Sequence, residues 1–289
     1  DPGRWNTGYD FPAAKDGKVA LEKVEQKTPA PASGFIFNTR RPIFEDARVR
    51  EALVMAFDFE WANANLFNNA YRRTYGYYGG SELSSEGKPV DDAERQVLGD
   101  ALAKLKPEFV DGSYKLPVND GSGRDRKMLR KAVGLLAAAG WTVSDKGLVN
   151  AKGEPFTFTI LVKDRDQEKI ALHYQRTLSA IGITANVRII DAAQFTSLQN
   201  SYDYDMIPAT WFNSLSPGNE QVLYYGSDGR TVPGTRNYPG IADPAVDRAI
   251  QAMLDAKTRE DFVAAVRAED RLLVSGFYVV PFYDAGGQW

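Results

Sequence analysis

Among 289 residues there is no cysteine and a single histidine, His173, so thiolate nucleophiles and Cys-ligated zinc are excluded. A serine-type triad would need that histidine between a nucleophile and an orienting acid. His173 falls instead in a helical stripe, and the chain contains no Gly-x-Ser-x-Gly elbow. It reads as a helix-surface or half-buried residue. Two carboxylate pairs, in Asp164-Arg165-Asp166 and Asp203-Tyr204-Asp205, could share an edge in extended backbone. Neither carries the glycine and following glutamate of a calcium loop, and both read as turn carboxylates. Gly121-Ser122-Gly123 precedes a helix as an anion-binding loop would, but the third glycine and the lysine of phosphate loops are absent. A plain loop and N-cap is expected there. No metal and no cofactor is expected. The two acids of a glycoside hydrolase are defined by their separation in space, which 38 acidic residues leave open.

Two segments have a composition suited to binding. Tyr71-Arg72-Arg73-Thr74-Tyr75-Gly76-Tyr77-Tyr78-Gly79-Gly80-Ser81 packs four tyrosines into a loop. Such rings either offer contact area with polar tips to a partner or pin the loop to its own core. The other segment is Trp211-Phe212-Asn213-Ser214-Leu215-Ser216-Pro217-Gly218-Asn219-Glu220, which leaves a strand and enters a helix at its amino end. In open α/β sheets ligands collect at the carboxyl ends of strands, where a helix N-terminus adds free N–H donors.

The elements that must position these residues follow from periodicity. A short apolar strand is expected over Phe35–Thr39 and a helix capped by Asp46, with Val49, Leu53, Ala56 and Phe57 on one face; a second helix runs from Asp58 to about Phe67. Residues 68–124 are loop-rich around one short helix near 93–105. Leu129, Ala132, Val133, Leu136 and Ala139 form the next apolar stripe, stopped by Gly140. Phe156–Val162 alternates as a strand, Ile170, Tyr174, Leu178 and Ile181 make a helical stripe, and Ala185–Ile190 is another strand, so a βαβ unit is expected. A helix capped by Asp191 leads to a strand at Met206–Trp211, where Pro208 argues for a sheet edge or a bulge. Two helices follow, one opening at Asp243-Pro244 with Val246, Ile250 and Leu254 on its stripe, the other at Thr258 with Asp261 three residues on. Phe277–Tyr283 reads as a strand that the end of the chain leaves without a partner. No internal repeat is visible.

Composition bounds the class. A hydrophobic content of 43% and 35 basic against 38 acidic residues describe a globular protein of about two domains or one large one. With a net charge of -3 and no basic block, nucleic acid is not an expected partner. No apolar run approaches the roughly 20 residues of a membrane span.

The block Gly34-Phe35-Ile36-Phe37-Asn38-Thr39-Arg40-Arg41-Pro42-Ile43-Phe44-Glu45-Asp46-Ala47-Arg48-Val49-Arg50-Glu51-Ala52-Leu53-Val54-Met55-Ala56-Phe57-Asp58 resembles the signature of family 5 extracellular solute-binding proteins, the peptide and nickel receptors of ABC importers. Leu135–Trp141, Trp211–Gln221 and Tyr278–Pro281 extend the likeness over nearly the whole chain, and the Ser214–Gln221 loop is similar to that of the Yej-type subgroup. The resemblance implies an α/β, periplasmic-binding-protein-like (type II) lobe with a mixed sheet flanked by helices. It divides the chain into the end of a first lobe and a crossing segment (1–33), a second ligand-binding lobe (34–276) and a return strand (277–289). The hinge passages fall at Val24–Phe37 and Phe277–Tyr283, and most of the first lobe lies outside the chain, together with a signal peptide for export to the periplasm or cell surface. The implied function is non-catalytic: a monomeric binding component that takes peptides or peptide-like solutes to an ABC permease. Expected ligand contacts are Trp211, Asn213, Ser214, Leu215 and Ser216, then Asn38, Tyr75 and Tyr78. Where oligopeptide receptors carry an aspartate for the peptide's amino terminus, this chain has Ser214. That implies a ligand held without the ion pair: a longer or modified peptide, a differently oriented one, or an opine-like or sugar-derived compound. The alternatives from the residues alone are a two-carboxylate α/β hydrolase and an interaction module that docks through Tyr71–Tyr78.

Overall fold

The computed structural model describes residues 8, 10–20, 22, 24 and 27–286. Strands follow in chain order as β1 (Ala32–Phe37), β2 (Arg72–Arg73), β3 (Thr142–Ser144), β4 (Gly147–Val149), β5 (Thr157–Val162), β6 (Thr184–Ile189), β7 (Met206–Trp211), β8 (Val279–Pro281) and β9 (Tyr283–Asp284). Five of them form one mixed sheet in the order β6-β5-β7-β1-β8, while β2-β9 and β3-β4 are two-stranded ribbons. β5 is parallel to β6 and β7, and β1 is antiparallel to β7 and β8. Phe35, Ile36 and Phe37 are all fully buried, as a central strand covered on both faces requires.

The helices begin where short polar side chains can satisfy free N–H groups, each such cap contributing about 1 kcal/mol. Asp46 accepts from the backbone N–H of Arg48 at 2.8 Å to open the Ala47–Met55 helix, and Asp58 accepts from Trp61 at 2.9 Å to open Phe59–Phe67. Asp191 caps Ala192–Ser201 and Asp243 caps Pro244–Asp255. At Arg259–Ser275 the Thr258 hydroxyl oxygen accepts from the N–H of Asp261 at 3.1 Å, and its proton goes to the Asp261 carboxylate at 2.7 Å. The βαβ unit forms as expected, with Ile170, Tyr174 and Leu178 of the Arg165–Ser179 helix buried. Tyr174 donates to the Leu53 carbonyl at 2.7 Å, tying that helix to Ala47–Met55.

Four sequence expectations change. β1 starts at Ala32, three residues before the expected strand. Leu254 is exposed while Met253 is buried, because the Val246–Ile250 stripe continues at 253. The carboxyl-terminal strand is not without a partner: β8 lies on the outer edge of β1 and β9 pairs with β2. Pro208 lies in an interior strand, not at an edge. Alternation along β1, in which Phe37 donates towards the β8 side and Asn38 towards β7, turns the nitrogen of residue 208 away from β1 and towards β5. There the β5–β7 ladder holds only the Ile160–Met206 pair, so the absent N–H of Pro208 leaves no gap in it.

Candidate functional site

That short ladder has a consequence for the surface. β5 and β7 pair at Met206 and then separate, and between their carboxyl ends lies an open concavity of about 560 Å³. β6 and β7 flank β5 on opposite sides, so the chain reverses its direction of sheet growth here. Ligands of open α/β sheets bind outside the strand ends at such a switch point. The walls come from Lys163 and Asp164 after β5, Gln167 and Ile170 of the next helix, Pro208, Ala209 and Thr210 of β7, Ser33 of β1, and the rings of Phe195, Tyr238, Phe282 and Tyr283.

The polar groups of these walls have distinct fates. Asp164 accepts from the N–H groups of Asp166 and Gln167 at 3.1 and 2.9 Å, capping the Arg165–Ser179 helix, and Asp166 pairs with Lys169 at 2.9 Å. Lys163 is different. Its ammonium lies 5.3 Å from the centroid of the Phe195 ring, and among the described residues no carboxylate is within ion-pair distance of it. A cation seated on a ring beside aromatic walls and the hydroxyls of Ser33 and Thr210 suits a ligand with an anionic group and an extended, partly apolar body.

The residues singled out from sequence divide into two groups. Asn213 is half-buried, donating to the Tyr77 carbonyl at 3.0 Å and accepting from Gln221 Nε2 at 3.0 Å. Ser214 and Ser216 are exposed, with the Ser214 hydroxyl accepting from the N–H of Ser216; Leu215 is half-buried and its carbonyl accepts from Arg259. These four follow β7 in the chain, and none of them lines the concavity, whose wall on β7 stops at Thr210. Trp211, Asn38, Tyr75 and Tyr78 belong to the interior. The Trp211 indole is fully buried among Tyr77, Tyr225 and Tyr238, and its N–H reaches the Arg236 carbonyl at 3.0 Å. Asn38 gives both amide protons to the carbonyls of Tyr202 and Tyr204, at 3.0 and 2.7 Å. The tyrosine-rich loop is pinned to the core rather than displayed: Tyr75, Tyr77 and Tyr78 are buried, and the Asp270 carboxylate holds the N–H of Tyr77 at 2.8 Å. Those three rings are not displayed for docking, and Tyr71, half-buried, packs on Phe67 and Tyr283.

Other candidates resolve as local structure. Asp203 and Asp205 pair with Arg41 at 2.7 and 3.1 Å. The N–H of Gly123 reaches the Asp58 carboxylate at 2.8 Å, so that loop binds an anion of its own chain. His173 is buried, stacked on Trp61 at 4.1 Å, with Nε2 3.0 Å from the Asp58 carbonyl. Facing an acceptor, Nε2 must carry the proton, and burial holds the pKa below its ordinary 6.5. Glu220 accepts from the N–H of Gly218 and from Gln221. Among the described residues no group of three or more His, Asp or Glu is placed to hold a metal ion.

Residues 4–232 match the family described as bacterial extracellular solute-binding proteins, family 5, middle region. The chain belongs to this family. Among relatives of this family 5 chain, the putative binding protein BMEII0691 of Brucella melitensis is 50% identical over 289 residues, all of this chain and 47% of the relative. The peptidoglycan-binding protein YepA of Agrobacterium fabrum is 42% identical over 100% of this chain and 47% of its own length. The probable peptide-binding protein YejA of the same organism is 36% identical over 98% and 46%. The chain thus spans about half the length of the curated relatives it matches. The oligopeptide-binding protein AppA of Bacillus subtilis, solved with a nonapeptide, has a TM-score of 0.69 at 20% identity, over 98% of this chain and 51% of that one. Its fold is thereby shared.

Seen against this fold, the family block Gly34–Asp58 is scaffold. Arg40 lies 3.7 Å over the Tyr202 ring and donates to four carbonyls of residues 229–238. The concavity residues Lys163, Phe195, Thr210 and Tyr238 were missed from sequence. The strand-end rule that pointed to Trp211 applies equally to the end of β5 and would have found Lys163.

Proposed function

We propose that this chain is part of the solute-binding component of an ABC importer and that it contributes one wall of a cleft for peptides or peptide-like solutes, outside the cytoplasmic membrane. It delivers the solute to a permease and does no chemistry on it. The observation that carries this reading is the concavity at the β5–β7 switch point of a family 5 chain, with Lys163 on the Phe195 ring as its free cation. Support for the ligand class comes from the relatives named as peptide-binding and peptidoglycan-binding, and from AppA with its nonapeptide. Lys163 takes a ligand carboxylate, and Asn213, Ser214, Leu215 and Ser216 line the same ligand from the adjoining loop. Their oxygens receive N–H groups without a compensating charge, which favours peptides whose amino terminus is modified or lies elsewhere.

Calorimetric titration tests this, on the chain itself and on a form extended to the length of its relatives. Short peptides and peptidoglycan-derived peptides are compared with the same peptides amidated at their carboxyl groups. A charge-assisted hydrogen bond contributes about 1.5–3 kcal/mol, so Lys163→Gln should weaken the free-acid peptides about tenfold or more and leave the amides unchanged. Equal effects on both would remove Lys163 from the site.

A further inference from the structure

Behind the 212–219 loop lies an acid with no counter-ion. Glu269, on the Arg259–Ser275 helix, is fully buried; its Oε2 is 3.1 Å from the Tyr78 hydroxyl and its Oε1 has no hydrogen-bond partner among the described residues. The next two residues are provided for: Asp270 accepts from the N–H groups of Tyr77 and Ser85 and from the Ser85 hydroxyl, and Arg271 pairs with Glu94 at 3.0 Å.

Counting protons fixes the state of Glu269. The Tyr77 carbonyl can only accept, so the Asn213 atom 3.0 Å from it is the amide nitrogen, and Asn213 Oδ1 faces Gln221. Gln221 must then present Nε2 to Asn213, at 3.0 Å, an orientation that also suits the Glu220 carboxylate 3.2 Å away. Gln221 Oε1 is left facing Tyr78, at 3.0 Å, as Glu269 Oε2 does at 3.1 Å. These two oxygen–oxygen contacts need two protons, and the phenol supplies one to whichever acceptor it faces. An ionised Glu269 would put oxygen against oxygen with no proton between; a protonated one donates to Tyr78 and completes the series.

We infer that Glu269 is held as the neutral acid and that its proton, passed on as hydrogen-bond direction through Tyr78 and Gln221, positions Asn213 and the 212–219 loop for ligand. The proton assignment stands on hydrogen bonding; its effect on ligand rests on the reading of that loop as ligand-facing. The surroundings agree. Tyr78 comes from the tyrosine-rich loop, Glu220 and Tyr225 from the Glu220–Tyr225 helix and Asp270 from the acid's own helix, and none of them is a cation. The charged groups on the Pro244–Asp255 and Asp92–Leu98 helices packed alongside are engaged elsewhere: Asp247 with Ser227, Arg248 with Asp100, Asp255 with Gln251, Glu94 with Arg271, and Arg95 with Asp92. Burial pushes Glu269 up to about 8, against the Tyr78 hydroxyl, which pulls it down, and with the carboxylates of Asp270 and Glu220 adding to the rise.

Infrared difference spectroscopy of the full chain should show, at neutral pH, a protonated-carboxyl band that is absent from Glu269→Gln and disappears from the unmodified chain as pH rises through about 8. Absence of a Glu269-dependent band overturns the inference, whatever the chain binds. In the same pH range peptide affinity should fall by about three- to tenfold, the loss of one ordinary hydrogen bond. Glu269→Gln, which keeps a donor towards Tyr78, should stay flat. Tyr78→Phe should keep the band and lose affinity already at neutral pH. A band with pH-independent affinity, or an unaffected Tyr78→Phe variant, overturns the positioning role, while a band without binding of any peptide refutes the ligand reading and leaves the neutral acid standing.

Discussion

Replacing Trp211 by alanine removes the largest fully buried side chain among the described residues. The indole is packed between Tyr225 at 5.5 Å, Tyr238 at 5.6 Å and Tyr77 at 5.9 Å, all held by other contacts, so the space cannot close by rotation of one ring. Truncating a buried Trp costs about 3–5 kcal/mol, transfer and cavity together. The Arg236 carbonyl also loses its donor. Set against a typical total of about 5–15 kcal/mol, this is enough to leave a substantial unfolded fraction under mild denaturant. Trp211→Phe keeps most of the ring and forfeits the N–H, for about 1–2 kcal/mol. Urea unfolding followed by circular dichroism should give a midpoint order of unmodified, then Phe, then Ala, with an unchanged slope. Ser214→Ala, at an exposed position, should stay within about 0.5 kcal/mol. An alanine variant within about 1 kcal/mol of the unmodified chain would refute the interior assignment of Trp211. The order also bears on binding assays, since ligand affinity lost in Trp211→Ala reports unfolding unless Trp211→Phe loses it too.

Two further predictions concern single positions. A Cβ on Gly34 would stand 2.2 Å from the Val280 carbonyl oxygen and 2.3 Å from a Val279 methyl, so Gly34→Ala should destabilise by about 1–3 kcal/mol through overpacking and raise amide exchange in β8 first; unchanged exchange there would contradict the close approach of β1 and β8. His173 is buried neutral, so below its ordinary 6.5 the unfolded chain binds a proton that the folded one refuses, and stability contributed by this site is lost as pH falls. The difference in unfolding free energy between unmodified chain and His173→Gln should therefore shrink between about pH 7 and about pH 5, and a constant difference would refute it. Taking that difference removes the opposite slope of Glu269, whose raised pKa makes stability fall as pH rises from 4.5 to about 8.

What could be read in advance was local. Asp46, Asp191, Asp243 and Thr258 cap helices because a short polar side chain before an apolar stripe has one good use, and the β7 bounds of Met206–Trp211 follow from six apolar or small residues between turns. What could not be read depends on which distant residue supplies the partner. The rings of Tyr75–Tyr78 look like a recognition loop until Asp270, some 190 positions on, takes the N–H of Tyr77. Glu269-Asp270-Arg271 is a charged run on a helix, yet all three are buried, because each meets a different neighbour: Tyr78, Ser85 and Glu94. Pro208 suggested an edge because the rule counts lost N–H groups; it sits inside the sheet because β5 has already separated from β7 at that point.

In the proposed function, the concavity between β5 and β7 receives a peptide through its carboxylate. The most direct measurement is calorimetric titration of the chain extended to the length of its relatives, with free-acid peptides, their amides and peptidoglycan-derived peptides, before and after Lys163→Gln. Free-acid ligands should bind with a Kd of about micromolar or tighter, weakened by the substitution while the amides are unaffected. Saturable binding that is indifferent both to amidation and to Lys163, or no heat with any of these ligands, would contradict that function.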